Sequence, residues 1–104
     1  MMQQSLARVA TPRAERYLVQ LCKHFAHRVP AEYDDNSGVI AFDFGRCQMA
    51  ATPEILALVA EAADSAALAQ VQDVIGRHLE RFAFRDGLTV SWTVPEGVVS
   101  GASA

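Results

Sequence analysis

Residues 52–62 read "TPEILALVAEA", and the fold turns on whether this run is a helix or a strand. Thr52-Pro53-Glu54 has the form of a helix start, with a hydroxyl to cap and a proline where a missing N–H costs nothing. The run "ILALVA" (55–60) equally has the form of a buried strand, and an unbroken apolar run has no period that separates the two. We read it as a strand, followed by a helix that opens at Asp64-Ser65.

The segments on either side are clearer. Downstream, Leu68, Val71, Ile75, Leu79 and Phe82 recur at helical spacing, which predicts a helix over 65–84 ended by Asp86-Gly87. "LTVSWTV" (88–94) alternates, with Leu88, Val90, Trp92 and Val94 inward and Thr89, Ser91 and Thr93 outward, the pattern of a half-exposed strand. Upstream, "VIAFDF" (39–44) puts Ile40, Phe42 and Phe44 on one face and Val39, Ala41 and Asp43 on the other. "FGRC" (44–47) is a tight-turn signal with Gly45 free to take positive φ, so 39–51 reads as a hairpin. "AEYDD" (31–35) is a short strand before the turn cluster "DDNSG" (34–38). Ala14, Leu18, Leu21, Cys22 and Phe25 make the apolar stripe of a first helix over 12–28, capped by Thr11. Arg16, Gln20, Lys23 and His27 fall on its opposite side, with His24 at the boundary. "SLARVA" (5–10) is the first strand.

The order β-α-β-β-β-β-α-β, with hairpins in the middle and two amphipathic helices, predicts an α+β two-layer sandwich: an antiparallel sheet with both helices on one face. Residues 1–94 form the expected domain, and "PEGVVSGASA" (95–104) a flexible C-terminal tail. The sheet's second face is left mixed, which makes a homodimer through face or edge an expectation.

The 104 residues are 51% hydrophobic and 20% charged, a globular balance. The first residues hold no apolar signal core, and no run approaches the ~20 residues of a membrane helix. We therefore expect a cytoplasmic protein with no membrane partner, and Cys22 and Cys47 as reduced thiols. The net charge of −3 argues against nucleic acid as a partner. That average conceals an asymmetry. Residues 8–28 carry Arg8, Arg13, Arg16, Lys23 and Arg28 against Glu15 alone, whereas residues 29–76 carry eight acids against Arg46. A basic helix on an acidic chain attracts an anionic small molecule or an acidic protein surface.

"RYLVQLCKHFAHR" (16–28), "GVIAFDFGRCQMAA" (38–51) and "HLERFAFRDGLTVSW" (78–92), in that order, resemble the bacterial domain-of-unknown-function 2218 family over roughly 6–92. The resemblance implies a strand for 55–61. It implies no catalytic residues and no cofactor, because the family has no agreed activity. Some members resemble a segment attached to siderophore-interacting flavin reductases, which implies a role accessory to siderophore and iron handling. Some carry an aldolase name. Such aldolases are barrels of about 250 residues, which this chain is too short to build.

The residues themselves leave three functional readings. The first is a non-enzymatic ligand- or partner-binding domain. Its basic face comprises Lys23, His24, His27 and Arg28, joined by His78, Arg81 and Arg85 if the two helices lie side by side. Glu80 and Asp86 are the acids that would pair those arginines off instead. The second is a small enzyme using His24 or His78 as general acid–base. The third is a metal site on His24 and His27, three apart on one helix. No CxxC, HExxH or finger spacing supports the third, so no metal is assigned. Cys22 lies on the apolar stripe, and Cys47 follows the turn; both read as small core residues.

Overall fold

The structure is a computed structural model and describes residues 2–93, so Val94 and the expected tail over 95–104 lie outside it. In chain order the elements are β1 (Gln3–Ala10), α1 (Ala14–Phe25), β2 (Ala31–Tyr33), β3 (Ser37–Phe42), β4 (Gly45–Ala51), β5 (Ile55–Ala62), α2 (Ser65–Phe82) and a 3₁₀ turn, Phe84–Asp86.

The ambiguous run is β5, and its place in the sheet explains the ambiguity. The sheet is antiparallel with order β1-β5-β4-β3-β2, so β5 is an interior strand between β1 and β4. Leu56, Leu58, Ala60 and Ala62 are buried beneath the helices, while Ile55, Ala57 and Val59 on the other face are half-buried. Flanked by β1 and β4, β5 half-buries even the residues of its uncovered face, so apolar side chains serve on both faces and the period of two disappears.

Both helices pack on the same sheet face. Leu18, Leu21 and Cys22 of α1 and Val71, Ile75 and Leu79 of α2 are fully buried over Ile40, Cys47, Leu56 and Leu58. Each buried leucine or isoleucine contributes about 1.5–3 kcal/mol by leaving water. α1 crosses from the β1 edge to the β2 edge, and β2 to β5 then return as a meander that ends beside β1. The two helices run antiparallel, since Tyr17 and His24 of α1 face Asp86 and His78 respectively.

The helix ends differ from the expected ones for local reasons. Asp64 caps α2 as anticipated, its carboxylate accepting the Ala67 N–H at 2.8 Å. Thr11 does not occupy the cap of α1. Its hydroxyl accepts the Arg13 N–H at 3.0 Å, which forms a turn before the helix, and α1 starts at Ala14 rather than at 12. α1 also ends at Phe25 instead of 28. Asp34 closes the β2–β3 connection by accepting from Asn36 N, Ser37 N and Ser37 Oγ, which stops β2 at Tyr33.

Three expectations about the sheet change. Gly45 is not a left-handed turn residue, because the described positive-φ glycine is Gly87, at φ 65°. The tight turn is instead Asp43-Phe44, between the paired residues Phe42 and Gly45. Phe44 therefore leaves the strand face and stacks on Phe42, with centroids 5.0 Å apart. The alternating segment 88–93 joins the sheet at one bridge only, Thr93 to Leu6, with reciprocal backbone bonds of 2.7 Å. Ahead of that bridge it lies along α2. Val90 N donates to Glu80 Oε2 at 2.9 Å, and Leu88, Val90 and Trp92 pack at the margin of the core.

The sheet's other face carries no covering element among the described residues. Leu6, Val39 and Val59 share one row there with Gln48 and Glu32. Beside it Glu61 is buried under Arg46 and Gln4, both of which donate to its carboxylate and hold it below the usual carboxylate range. This polar lattice suits the face to water. No helix is long and apolar enough to cross a membrane among the described residues.

Candidate functional site

The antiparallel helix pair divides the expected basic surface into two chemically distinct zones. The first is an imidazole–aromatic contact. His24, at the end of α1, meets His78 of α2 with ring centroids 4.9 Å apart. Phe25 and Phe82 border His24 at 5.0 and 5.5 Å, and Phe25 also touches His78 and Phe42. His24 thus finds its ring partner on the other helix and not in His27. His78 Nδ1 lies 2.7 Å from the Val74 carbonyl and donates to it. Among the described residues no three His, Cys, Asp or Glu side chains come together to hold a metal ion.

Desolvation against these rings is the main cause that lowers the His24 pKa below 6.5, followed by the charges of His78, His27, Arg28 and Arg81. The folded state therefore favours neutral His24. The stability this contributes is complete above pH 6.5 and is lost as pH falls through the lowered folded value. We expect the urea midpoint to fall between pH 7 and 5, above the range where carboxylates protonate, and the fall to shrink in His24→Gln. An NMR titration of the His24 ring should have its midpoint below 6.5; a midpoint at or above that value would refute this account.

The second zone is a cleft of about 520 Å³ lined by Arg13, Arg16, Tyr17 and Gln20 from α1 and by Arg81, Phe82, Phe84, Arg85 and Asp86 from the end of α2 and the 3₁₀ turn. On α1 the spacing 13, 16, 17, 20 places these side chains on one flank. The α2 side follows from the way that helix ends. Ala83 and the 3₁₀ turn fold back, Asp86 N bonds Ala83 O and Gly87 N bonds Phe84 O, and Gly87 takes the left-handed conformation that closes the turn.

One acid lies among four arginines in this cleft, and it is already neutralised. Arg13 Nη1 sits 3.0 Å from both Asp86 carboxylate oxygens, and the buried Tyr17 hydroxyl donates to Oδ2. The tyrosine bond and the Arg13 charge lower the Asp86 pKa, and the same bond raises that of Tyr17, so the proton stays on the phenol. Glu80, the other acid expected to pair the arginines, instead accepts from Val90 N. Among the described residues Arg16, Arg81 and Arg85 make no ion pair; the pairs formed are Arg13–Asp86, Arg46–Glu61 and Arg77–Asp73.

Of the residues singled out from sequence, Arg81 and Arg85 enter this cleft. His24 and His78 join the imidazole contact beside it. Lys23, His27 and Arg28 are exposed and line neither. Arg13, Arg16, Tyr17 and Gln20 were absent from the expected site. Their signal was the position of Arg16 and Gln20 on the outward side of the first helix.

A family model described as an uncharacterized protein conserved in bacteria matches residues 6–93. No curated protein matches the chain. Among solved structures, the chain is similar to the NMR structure of PA4090 from Pseudomonas aeruginosa. The two share 32% identity and a TM-score of 0.75, over 88% of this chain and 95% of that one.

Proposed function

We propose, from the premise that this chain belongs to the DUF2218 family of proteins conserved in bacteria, that it is a ligand-binding domain whose basic cleft holds an anion. The observation that carries this reading is that, among the described residues, Arg16, Arg81 and Arg85 make no ion pair around a cleft whose one acid is already satisfied. Like charges held together without counter-charges raise the local potential, and a guanidinium offers paired donors to a carboxylate or phosphate. A small molecule is favoured over an acidic protein surface because the site is concave and within the ~300–1,000 Å³ range of small-ligand sites. A role accessory to siderophore or iron handling rests on the family resemblance, and the cleft adds to it only a preference for negative charge.

The test is a titration with inorganic phosphate and with acetate, followed by amide shifts. Saturable shifts should gather on Arg13–Gln20 and Arg81–Gly87. Replacing two charge-assisted bonds in Arg81→Gln/Arg85→Gln should weaken binding by at least about tenfold. The binding should also fade with added salt. Shifts that never saturate, or that ignore the double substitution, would overturn the reading.

A further inference from the structure

We infer that the ligand of this cleft is an aromatic anion, its ring laid on Phe84 and its charge held by Arg16, Arg81 and Arg85. The inference rests on the anion-binding reading above and narrows it. Phe84 is 81% exposed, far more than Met2 at 56% or Tyr33 at 39%, the other large apolar side chains exposed among the described residues. The 3₁₀ turn that carries it is fixed by two backbone bonds and by left-handed Gly87, and Asp86 ties the same turn to α1 through Arg13 and Tyr17. The backbone of Phe84 is thus fixed, and its ring lies in water beside the cationic cleft whose wall it forms.

An aromatic face in that position recognises another flat ring by offset stacking. The unpaired guanidiniums add to this, since their planar faces also stack on rings while their edges bind oxyanions. A ligand with charge alone would leave Phe84 unused, and a neutral ring would leave three cations unmatched. Both requirements meet in an aryl carboxylate or an aryl-bearing phosphate.

The experiment compares 2-naphthoate with acetate, and adenosine monophosphate with inorganic phosphate, by the same amide-shift titration. Each aromatic probe should bind about three- to tenfold more tightly than its simple counterpart. Phe84→Ala should abolish that gain, so that within this variant each aromatic probe binds no more tightly than its simple counterpart, and the fold should tolerate the change at so exposed a position. The pair with the larger gain identifies the carboxylate or the phosphate class. If acetate and phosphate bind but the aromatic probes gain nothing, or the gain survives Phe84→Ala, the inference falls and the anion site stands. If none of the four probes binds, both fall.

Discussion

Gly45→Ala should destabilise this protein by about 3 kcal/mol, the upper end of the range for forcing a methyl group into a packed interior. Gly45 opens β4 at the mouth of the hairpin. A Cβ there would overlap the Glu61 backbone oxygen and would lie 2.8 Å from Val71 Cγ2 and 3.1 Å from Ala62 Cβ. The side chain of Val71 can turn aside, but the Glu61 carbonyl belongs to interior strand β5. Relief then requires β4 to part from β5 at the point where α2 packs on both. The loss is large against a typical total stability of about 5–15 kcal/mol. Gly76→Ala is the internal control. Its Cβ would meet Trp92 Nε1 at 3.6 Å and Val90 Cβ at 3.8 Å, ordinary contact distances, in the middle of α2. Alanine there should raise stability by roughly 1 kcal/mol through helix propensity. Urea midpoints of the two variants should move in opposite directions; a Gly45→Ala midpoint close to that of the parent would refute the close-approach argument.

Gly45 also marks where sequence reasoning stopped. A glycine after Asp-Phe signals a turn, and positive φ is the usual reason for one. The reason here is space, which depends on a strand and a helix that are distant in the chain. The same division runs through the fold. The stripes Leu18–Cys22–Phe25 and Val71–Ile75–Leu79 were legible because helical spacing is a local property, and each became the buried face of its helix. The run 55–60 was legible only as a choice, since burial on both faces removes the alternation that marks a strand. "LTVSWTV" alternates as a strand should, yet it reaches the sheet only at Thr93, because its route passes over α2, where Val90 binds Glu80.

The candidate site was legible by half. Arg81 and Arg85 are four apart, and their proximity follows from the helix and the turn after it. Which flank of α1 they would face was not readable, because it depends on the antiparallel pairing and on how far α2 extends past His78. That pairing brought Arg13, Arg16, Tyr17 and Gln20 to the cleft and left Lys23, His27 and Arg28 outside it. Phe84 falls at the end of the expected helix over 65–84, and the 3₁₀ turn that begins there leaves it exposed. Asp86 looked like a helix stop, and it also ties the end of α2 to α1.

Both thiols should resist a disulfide reagent at pH 8 by at least about a hundredfold relative to the unfolded chain. Cys22 and Cys47 are free and wholly buried. Burial pushes Cys22 up to about 11 and Cys47 up to about 12, the latter raised further by the nearness of Cys22. With both values raised so far above pH 8, the thiolate is scarce in the folded protein, whereas an ordinary thiol is partly ionised there. The thiolate is the nucleophile, and the reagent must also reach a sulfur covered by α1 and the sheet, so modification waits for the core to open. In native buffer the reagent should release almost no chromophore over minutes, and two equivalents should appear at once in guanidinium. One equivalent released within seconds from the folded protein would show an accessible, activated thiol. The sequence "LCKHFAHR" (21–28) invites that reading by setting a cysteine among a lysine and two histidines. In the helix the sulfur turns into the core while Lys23 and His27 face water, so adjacency in the chain puts no cation beside the sulfur to activate it.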